Sequence, residues 1–418
     1  MSHPSTPQLA RRLTTTDAVV IGLGSMIGAG VFAAFAPAAR AAGSGLLIGL
    51  ALAAVVAYCN ATSSAQLAAQ YPVSGGTYVY GRERLGEWAG FLAGWGFVVG
   101  KTASCAAMAL TFAAYAAPRG WQRPVAVGAV VALAALNYRG VTRTARLTRV
   151  IVTVVLAALA VTVVSALVGG APEPDRAIPA VGAGGWYGVL QSAGLLFFAF
   201  AGYARIATMG EEVRDPERTI PRAIQLALAG AVVVYAVVAV SLLGVLGADG
   251  VAATSAPLAA AVASTGWGWA SVVVRVGAAA ASLGALLALM AGIGRTGLAM
   301  ARAGDLPRWL SAVHPRHRVP HHAEVALAVV VCLLVTTVDL RGAIGFSSFG
   351  VLLYYLVANL SALSQDGVHR RFPRALQVLG VLGCVVLVVT LPWTSVVAGV
   401  AVFAVGIGYR LIRLGRAE

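Results

Sequence analysis

The chain has 418 residues, of which 59% are hydrophobic and 11% are charged. This composition excludes an ordinary soluble protein, which is roughly 45–50% apolar and about 25% charged, and the mean hydropathy of +0.84 is typical of a membrane protein. The formal net charge of +15 comes from 29 arginines and one lysine against 15 acidic residues. Because the basic residues are scattered between long apolar runs, membrane topology explains them better than a nucleic-acid partner.

Apolar runs long enough to cross a bilayer, which takes about 20 residues, recur along the whole chain. They predict an all-α integral membrane protein with 12 transmembrane helices and no separate soluble domain. The approximate limits of these spans are 17–40, 45–69, 88–117, 122–138, 147–169, 186–210, 221–247, 269–299, 323–339, 343–364, 374–391 and 393–412.

The positive residues are distributed unevenly between the two sides of this bundle. With the N-terminus inside, 21 of the 30 Lys and Arg residues fall in cytoplasmic segments, five in external segments and four within or at the ends of spans. Because translocating positive charge is costly, the tails 1–16 and 413–418 are predicted to be cytoplasmic. The polar stretch that ends in Arg11 and Arg12 before span 1 has no cleavable signal pattern, so the first helix is expected to stay in the cell membrane.

Two of the spans are interrupted near their middle. Span 1 contains the run GLGSMIGAGVF, with glycines at 22, 24, 28 and 30, and span 6 contains LLFFAFAGYARI, with a break near Gly202. A broken helix at the start of each five-span half is typical of transporters built from inverted repeats, whose binding site lies where the breaks meet. The predicted repeats are 17–169 and 186–364.

The two breaks offer groups of opposite polarity. The small residues 28–30 leave backbone N–H groups accessible, and the half-helix that follows turns its positive end toward them, so a carboxylate is expected there. The carbonyl ends near Met26 and at 198–201 suit an ammonium group, and together the breaks describe an α-amino acid zwitterion. The alternative is that Gly24 and Gly28 form a GxxxG helix-packing step. A dinucleotide-binding loop is excluded because the glycine spacing is wrong and no strand precedes it.

Four motifs resemble those of the amino acid–polyamine–organocation superfamily. GLGSMIGAGVF is similar to its first-helix signature, and PVSGGTYVYGRERLG resembles the loop after its second helix. FFAFAGYARIATMGEEVRDPERTIPRAI resembles the sixth helix and the following loop, and GRTGLAMARAGDLP resembles the loop after helix 8. The resemblance implies an amino acid permease with a LeuT-like 5+5 inverted repeat, broken helices 1 and 6, and 374–412 as two peripheral helices.

The resemblance also implies which residues bind the substrate. The backbone of Ala29 and Gly30 holds the α-carboxylate, and Phe200 or Tyr203 is a candidate gate residue. The α-amine binds to the backbone carbonyl groups of Met26, Phe198, Ala199 and Ala201. The complete predicted substrate-binding set is Met26, Ile27, Gly28, Ala29, Gly30, Phe198, Ala199, Phe200, Ala201 and Tyr203.

Two positions depart from the superfamily pattern. Many members have an acidic residue just after the Gly-aromatic pair of helix 6, where this chain has Ala204 followed by Arg205. Some relatives carry a titratable lysine in helix 5, at the position of Val155. A sodium or proton site therefore cannot simply be carried over.

Lys101 is the only lysine and lies inside span 3. It is about 13 residues from the start of the span, roughly 20 Å at 1.5 Å per residue, which is too deep for easy snorkelling. A lysine at mid-bilayer costs about 2.5–3.5 kcal/mol on insertion scales, so the side chain should face the bundle interior. A buried amine of this kind can take up and release a proton as access alternates. The alternative is a structural lysine held by backbone carbonyls.

Arg205 cannot serve as a proton carrier, because a guanidinium stays protonated. It is expected to act as a fixed charge that either closes the cytoplasmic gate by donating to carbonyls or disfavours cationic substrates. The alternative is an arginine that snorkels to the cytoplasmic surface. Charges nearby, at Glu211, Glu212, Arg214 and Arg218, are interpreted as solvated loop pairs, which are usually worth about 0–1 kcal/mol.

These features favour a secondary transporter of neutral amino acids, with proton symport through Lys101 or amino acid exchange left open. The sequence shows no ATP-binding motif, no nucleophile, metal or carboxylate constellation, and no charged pore rings, so neither an enzyme nor a channel is expected, and no cofactor. The histidine-rich run 314–322 contains prolines and arginines and no carboxylate, which argues against a metal site.

A polyamine or amine permease is the remaining alternative, although no acidic residue lies beside Arg205. The expected partners are an amino acid, a proton and the lipid bilayer; the oligomeric state is not specified.

Overall fold

The computed structural model of the chain describes residues 13–72, 75–140, 145–169, 173–209 and 212–415. Residues 1–12 and 416–418 of the predicted tails, and Glu211, lie outside these ranges. The structure is all-helical within them, apart from a single bridge in which the strand-like residues Leu13 and Val213 pair. This bridge joins the start of predicted span 1 to the loop after predicted span 6.

The described residues form 17 α-helices in a continuous bundle. In chain order they are α1 (Thr15–Met26), α2 (Gly30–Ala33), α3 (Phe35–Ala42), α4 (Leu46–Gln70), α5 (Thr77–Leu85), α6 (Glu87–Ala116), α7 (Gln122–Tyr138), α8 (Ala145–Val168), α9 (Gly185–Phe200), α10 (Ala204–Ala207), α11 (Pro216–Ala253), α12 (Pro257–Ser264), α13 (Ser271–Arg302), α14 (His321–Thr337), α15 (Leu340–Leu363), α16 (Arg374–Thr390) and α17 (Trp393–Leu414).

Each of the predicted spans overlaps one or more of these helices. The names helix 1, helix 5 and helix 6 are used for the helices of predicted spans 1, 5 and 6, which correspond to α1–α3, α8 and α9–α10. Within the described ranges, nine helical segments are long and apolar enough to cross a membrane by length and composition, and α14 and α16 are shorter apolar helices. An apolar, multi-pass helical protein is thus supported. The number of 12 transmembrane helices and their division into two inverted repeats stay predictions.

Two helices occur where the sequence was interpreted as connections. α5 lies between predicted spans 2 and 3, and its sequence TYVYGRERL is too polar and too short for a span. α12 is apolar but has only eight residues. Both escape a search for long apolar runs, because such a search finds only helices that satisfy the bilayer's length requirement.

α6 is the central helix of the bundle, since it packs extensively against both α13 and α15. α1 packs against α8 and α11, and α4 packs against α9 and α11. Large apolar side chains on the outer faces of α16 and α17 are exposed, as is expected of surfaces that meet lipid tails. Lys101 lies midway along α6, and its side chain is buried in the protein.

Candidate substrate site at the two helix breaks

The first helix breaks where its glycine-rich run predicts. α1 starts with a capping box, in which Thr14 and Asp17 exchange side-chain and backbone hydrogen bonds. It ends at Met26, where the N–H of Ile27 still bonds to the carbonyl of Leu23, and the helix resumes at Gly30. The residues between the two halves are buried, so their free backbone groups face the protein interior.

The sixth helix breaks at the predicted position as well. α9 ends at Phe200, a 3₁₀ turn occupies Ala201–Tyr203, and the four-residue helix α10 follows. The 3₁₀ turn changes the hydrogen-bonding pattern, which leaves carbonyl groups at the end of α9 available for other donors.

The two breaks are in direct contact. A Cβ added to Gly30 would lie 2.6 Å from the Cα of Ala199, and one added to Gly202 would lie 2.3 Å from the carbonyl oxygen of Ser25. Real Cβ atoms do not approach other atoms so closely, so these two positions require glycine for space. The structure therefore brings the predicted residues of helix 1 and helix 6 together at one place.

A tyrosine from a third helix connects the two breaks. Tyr235 of α11 is fully buried, and its Oη lies 2.6 Å from the carbonyl oxygen of Met26 and 2.9 Å from that of Ala199. Both carbonyls belong to the set predicted to hold the α-amine. An ammonium group that binds there must share these oxygens with Tyr235 or displace its hydroxyl.

The carbonyl of Ala201 receives two further donors. The Nζ of Lys101 lies 3.3 Å from this oxygen, and the Oη of Tyr355 lies 3.4 Å from it. Lys101 is only 7% exposed. The lysine therefore contacts the break of helix 6 directly, at a group that also belongs to the predicted amine site.

The two candidate gate residues are packed against tyrosines. The ring of Phe200 meets that of Tyr235 edge to face at 5.0 Å, and the ring of Tyr203 lies 5.0 Å from that of Tyr355. Both candidates are fully buried. A gating role for either ring stays a prediction.

The helix 5 position that carries a lysine in some relatives is apolar here. Val155 lines a small pocket at the break of helix 1, together with Gly24, Ile27 and Gly28 and with residues of α8 and α13. The side chains around this pocket have no titratable group. Lys101 lies instead beside the break of helix 6.

Arg205 lies at the start of the short second half of helix 6 and reaches toward solvent. Its guanidinium is 3.7 Å from the carboxylate of Glu212, and both side chains are partly exposed. An exposed pair of this kind is worth about 0–1 kcal/mol. The contact directs the fixed charge toward the partly exposed segment that follows α10, away from the buried contact between the breaks.

Sequence reasoning did not identify Tyr235 and Tyr355 as site residues. A signal was present, because a buried tyrosine hydroxyl requires a hydrogen-bond partner and the run VVVYAVVAV sets Tyr235 in an otherwise apolar span. The sequence could not show which carbonyls these hydroxyls reach.

The histidine-rich run folds into a compact ring cluster. The ring centroids of His314 and His317 are 4.7 Å apart, and those of His321 and His322 are 4.2 Å apart. Among the described residues, no group of three or more His, Cys, Asp or Glu side chains could hold a metal ion.

Comparison with known proteins identifies the family. The family model described as "Amino acid permease" matches residues 13–410, nearly the whole chain. The chain belongs to the amino acid permease family. This membership places it in the amino acid–polyamine–organocation superfamily, as its motifs predicted.

Three relatives show the range of this permease family. An uncharacterised transporter of Mycobacterium tuberculosis is 61% identical, with 98% of this chain and 94% of the relative covered. A branched-chain amino acid permease of Bacillus subtilis is 26% identical, with 93% and 90% covered. A chloroplastic cationic amino acid transporter of Arabidopsis thaliana is 29% identical, with 84% of this chain and 65% of the relative covered. The permease is thus a transporter of the amino acid permease family.

Proposed function

We propose that this permease is a secondary transporter that moves neutral amino acids across the cell membrane by alternating access. The observation that carries the proposal is the direct contact between the two helix breaks, Gly30 against Ala199 and Gly202 against Ser25. In this proposal the protein has twelve spans in a LeuT-like 5+5 repeat and keeps both termini in the cytoplasm. Its partners are an amino acid, a proton and the lipid bilayer.

The substrate backbone binds at both breaks. The α-carboxylate accepts hydrogen bonds from the N–H groups of Ala29 and Gly30, at the start of the resumed helix. The α-amine donates to the carbonyls of the other break residues, in place of the tyrosine and lysine donors that hold them here. The predicted residues for the amine are Met26, Phe198, Ala199 and Ala201.

A neutral substrate side chain fits the charges near the breaks. The position after the helix 6 turn is Ala204, so it supplies no carboxylate for a cationic side chain, and Arg205 adds a positive charge on the same short helix. The names of the relatives include both branched-chain and cationic amino acid transporters. The local charge favours the former class.

Proton coupling is assigned to Lys101. Its Nζ contacts the carbonyl of Ala201, which is also a predicted ligand of the α-amine. Because two ammonium groups on one carbonyl repel each other, binding of the substrate amine favours release of the proton from Lys101. Release on one side of the membrane and uptake on the other couples the proton to transport.

Two measurements test the function. A thermal-shift screen of the purified protein against all amino acids and several polyamines should show stabilisation by neutral amino acids, because a ligand selective for the folded state raises its stability. Uptake into proteoliposomes should then increase when a proton gradient is directed into the vesicles. Selective stabilisation by polyamines would replace the proposal with an amine permease, and uptake that requires internal amino acid without responding to pH would replace symport with exchange.

A further inference from the structure

α5, the short helix between α4 and α6, contacts the second half of broken helix 6. The hydroxyl of Tyr80 donates to the carbonyl of Ala207 at 3.3 Å. Ala207 is the last residue of α10, and the final carbonyls of a helix lack partners within it. The tyrosine therefore supplies a hydrogen bond that α10 cannot make for itself.

The start of α5 lies against the same part of the protein. Gly76 precedes the helix with a φ of +57°, and a Cβ there would lie 2.6 Å from Oη of Tyr354 and 3.3 Å from Cγ2 of Thr208. The N–H of Thr77 donates to the Tyr354 hydroxyl at 3.0 Å. One end of α5 thus fits between α15 and the residue that follows α10.

The other face of α5 carries a buried ionic cluster centred on Asp305. Its carboxylate accepts hydrogen bonds from Tyr78 Oη at 2.8 Å and from Arg82 at 3.1 Å. Burial, and then the Asp305 carboxylate, raises the pKa of Tyr78 to about 12, so the hydroxyl keeps its proton. Asp305 lies in the loop after α13, so the cluster joins α5 to a loop that is distant in the chain.

Arg410 of α17 completes the cluster. It pairs with Asp305 and lies 3.4 Å from Glu87, and its guanidinium is 4.9 Å from the ring centroids of both Trp88 and Phe91. Asp305 and Arg410 are only 5% and 6% exposed. Removing one partner of such a buried pair leaves an uncompensated charge, so the cluster resists opening.

We infer that α5 is a fixed support for the cytoplasmic gate of the transport path: Tyr80 holds the second half of broken helix 6, which is the part that moves, and Arg410 fixes α5 through Asp305. The inference rests on the proposed function, because it assigns the cytoplasmic exit of that transporter. The single hydrogen bond to Ala207 is weak enough to break during a transport cycle, whereas the ionic cluster is not. Motion of α10 therefore separates it from α5 and leaves α5 on its support.

α17 has a structural role in this arrangement. The resemblance placed 374–412 at the periphery of the bundle, but Arg410 is a positioning residue in this arrangement. It touches no substrate group and acts on α10 through Asp305, α5 and Tyr80. A substitution in α17 should therefore alter α10, although the two helices are far apart in the chain.

Hydrogen–deuterium exchange of the full-length protein in detergent, without ligand, tests the gate. In Tyr80→Phe, residues 204–209 should exchange about twofold to tenfold faster, the effect of losing one buried hydrogen bond. Tyr71→Phe is the matched control, since its ring stacks on that of Tyr80 at 6.1 Å, and exchange in 204–209 should not change. Equal exchange in Tyr80→Phe and the wild type would overturn the inference.

Arg410→Gln tests the support. Exchange should increase in α5 and in 204–209 but not in α8 or α14. Arg410→Lys should restore part of the protection, because it keeps the charge but lacks the forked guanidinium that reaches both Asp305 and Glu87. The exposed Arg302→Gln is the control for loss of a positive charge. A uniform increase across all helices would show general destabilisation and contradict the positioning role. The exchange measurement needs no substrate, so failure of the amino acid screen would refute the proposed function without affecting this result.

Discussion

Nζ of Lys101 donates to the carbonyl of Ala201 at 3.3 Å, so the only lysine in the chain contacts the break of helix 6. Replacing it with Gln keeps a donor at this position but removes the exchangeable charge. Uptake of the amino acid identified by the screen should persist in Lys101→Gln proteoliposomes and lose its response to a pH gradient.

The same experiment has two internal comparisons. Lys101→Arg should also abolish the pH response, because a guanidinium does not release its proton. Thr102→Val, which changes the next residue on α6, should retain the wild-type response. A normal pH response in Lys101→Gln would show that the lysine is structural.

Substitution of the contact glycines should destabilise the site through lack of space. Gly30→Ala and Gly202→Ala place a Cβ 2.6 Å and 2.3 Å from backbone atoms of the opposite break. Overpacking of this kind costs about 1–3 kcal/mol, and ligand-induced thermal shifts should disappear. Gly408→Ala is the matched control because no heavy atom lies within 4 Å of its added Cβ. It should leave the ligand shift intact, and equal losses in all three variants would contradict the close-contact argument.

Tyr235→Phe should weaken the connection between the breaks while retaining the aromatic packing on Phe200. The carbonyls of Met26 and Ala199 lose the one hydroxyl proton that they share, and a buried group left unsatisfied costs about 1–3 kcal/mol. The free energy of unfolding in mixed micelles should fall by this order. Tyr58→Phe, at an exposed position on α4, should change it by less than about 0.5 kcal/mol. Wild-type stability in Tyr235→Phe would show that the hydroxyl contributes nothing to the contact.

Arg205→Ala should alter specificity more than stability. Its ion pair with Glu212 is partly exposed, so its loss should change the free energy of unfolding by less than about 1 kcal/mol. Thermal shifts with lysine or arginine should increase relative to those with neutral amino acids. Arg218→Ala, which removes another exposed arginine, should leave this ratio unchanged, and an unchanged ratio in Arg205→Ala would exclude a role in selectivity.

The sequence could predict the positions of the breaks because glycines weaken a helix at the point in an apolar run where they occur, clustered in helix 1 and single, at Gly202, in helix 6. It also located long helices closely, as shown by the predicted span 374–391 and the observed α16, Arg374–Thr390. Apolar length constrains both ends of such a helix. The polar helix α5 has no comparable constraint and was missed.

The sequence could not predict which donors occupy the carbonyls at the breaks. Tyr235 is 36 residues from Ala199 in the chain, and Tyr355 is 154 residues from Ala201. Their contacts depend on the rotation and depth of α11 and α15, and a run such as VVVYAVVAV has no polar stripe that would define either. Tertiary packing alone decides which oxygen each hydroxyl meets.

The hydroxyl of Tyr235 cannot fully satisfy both of the carbonyl oxygens that it faces. A phenol has one proton to donate, and here it faces two carbonyl oxygens, so only one of them can receive a full hydrogen bond at any moment. An ammonium group brings three protons and can satisfy both oxygens at once. The carbonyl oxygens of Met26 and Ala199 therefore have fewer hydrogen-bond donors than they can accept. An α-amine would supply the missing donor, whereas a deaminated analogue of the same size would not.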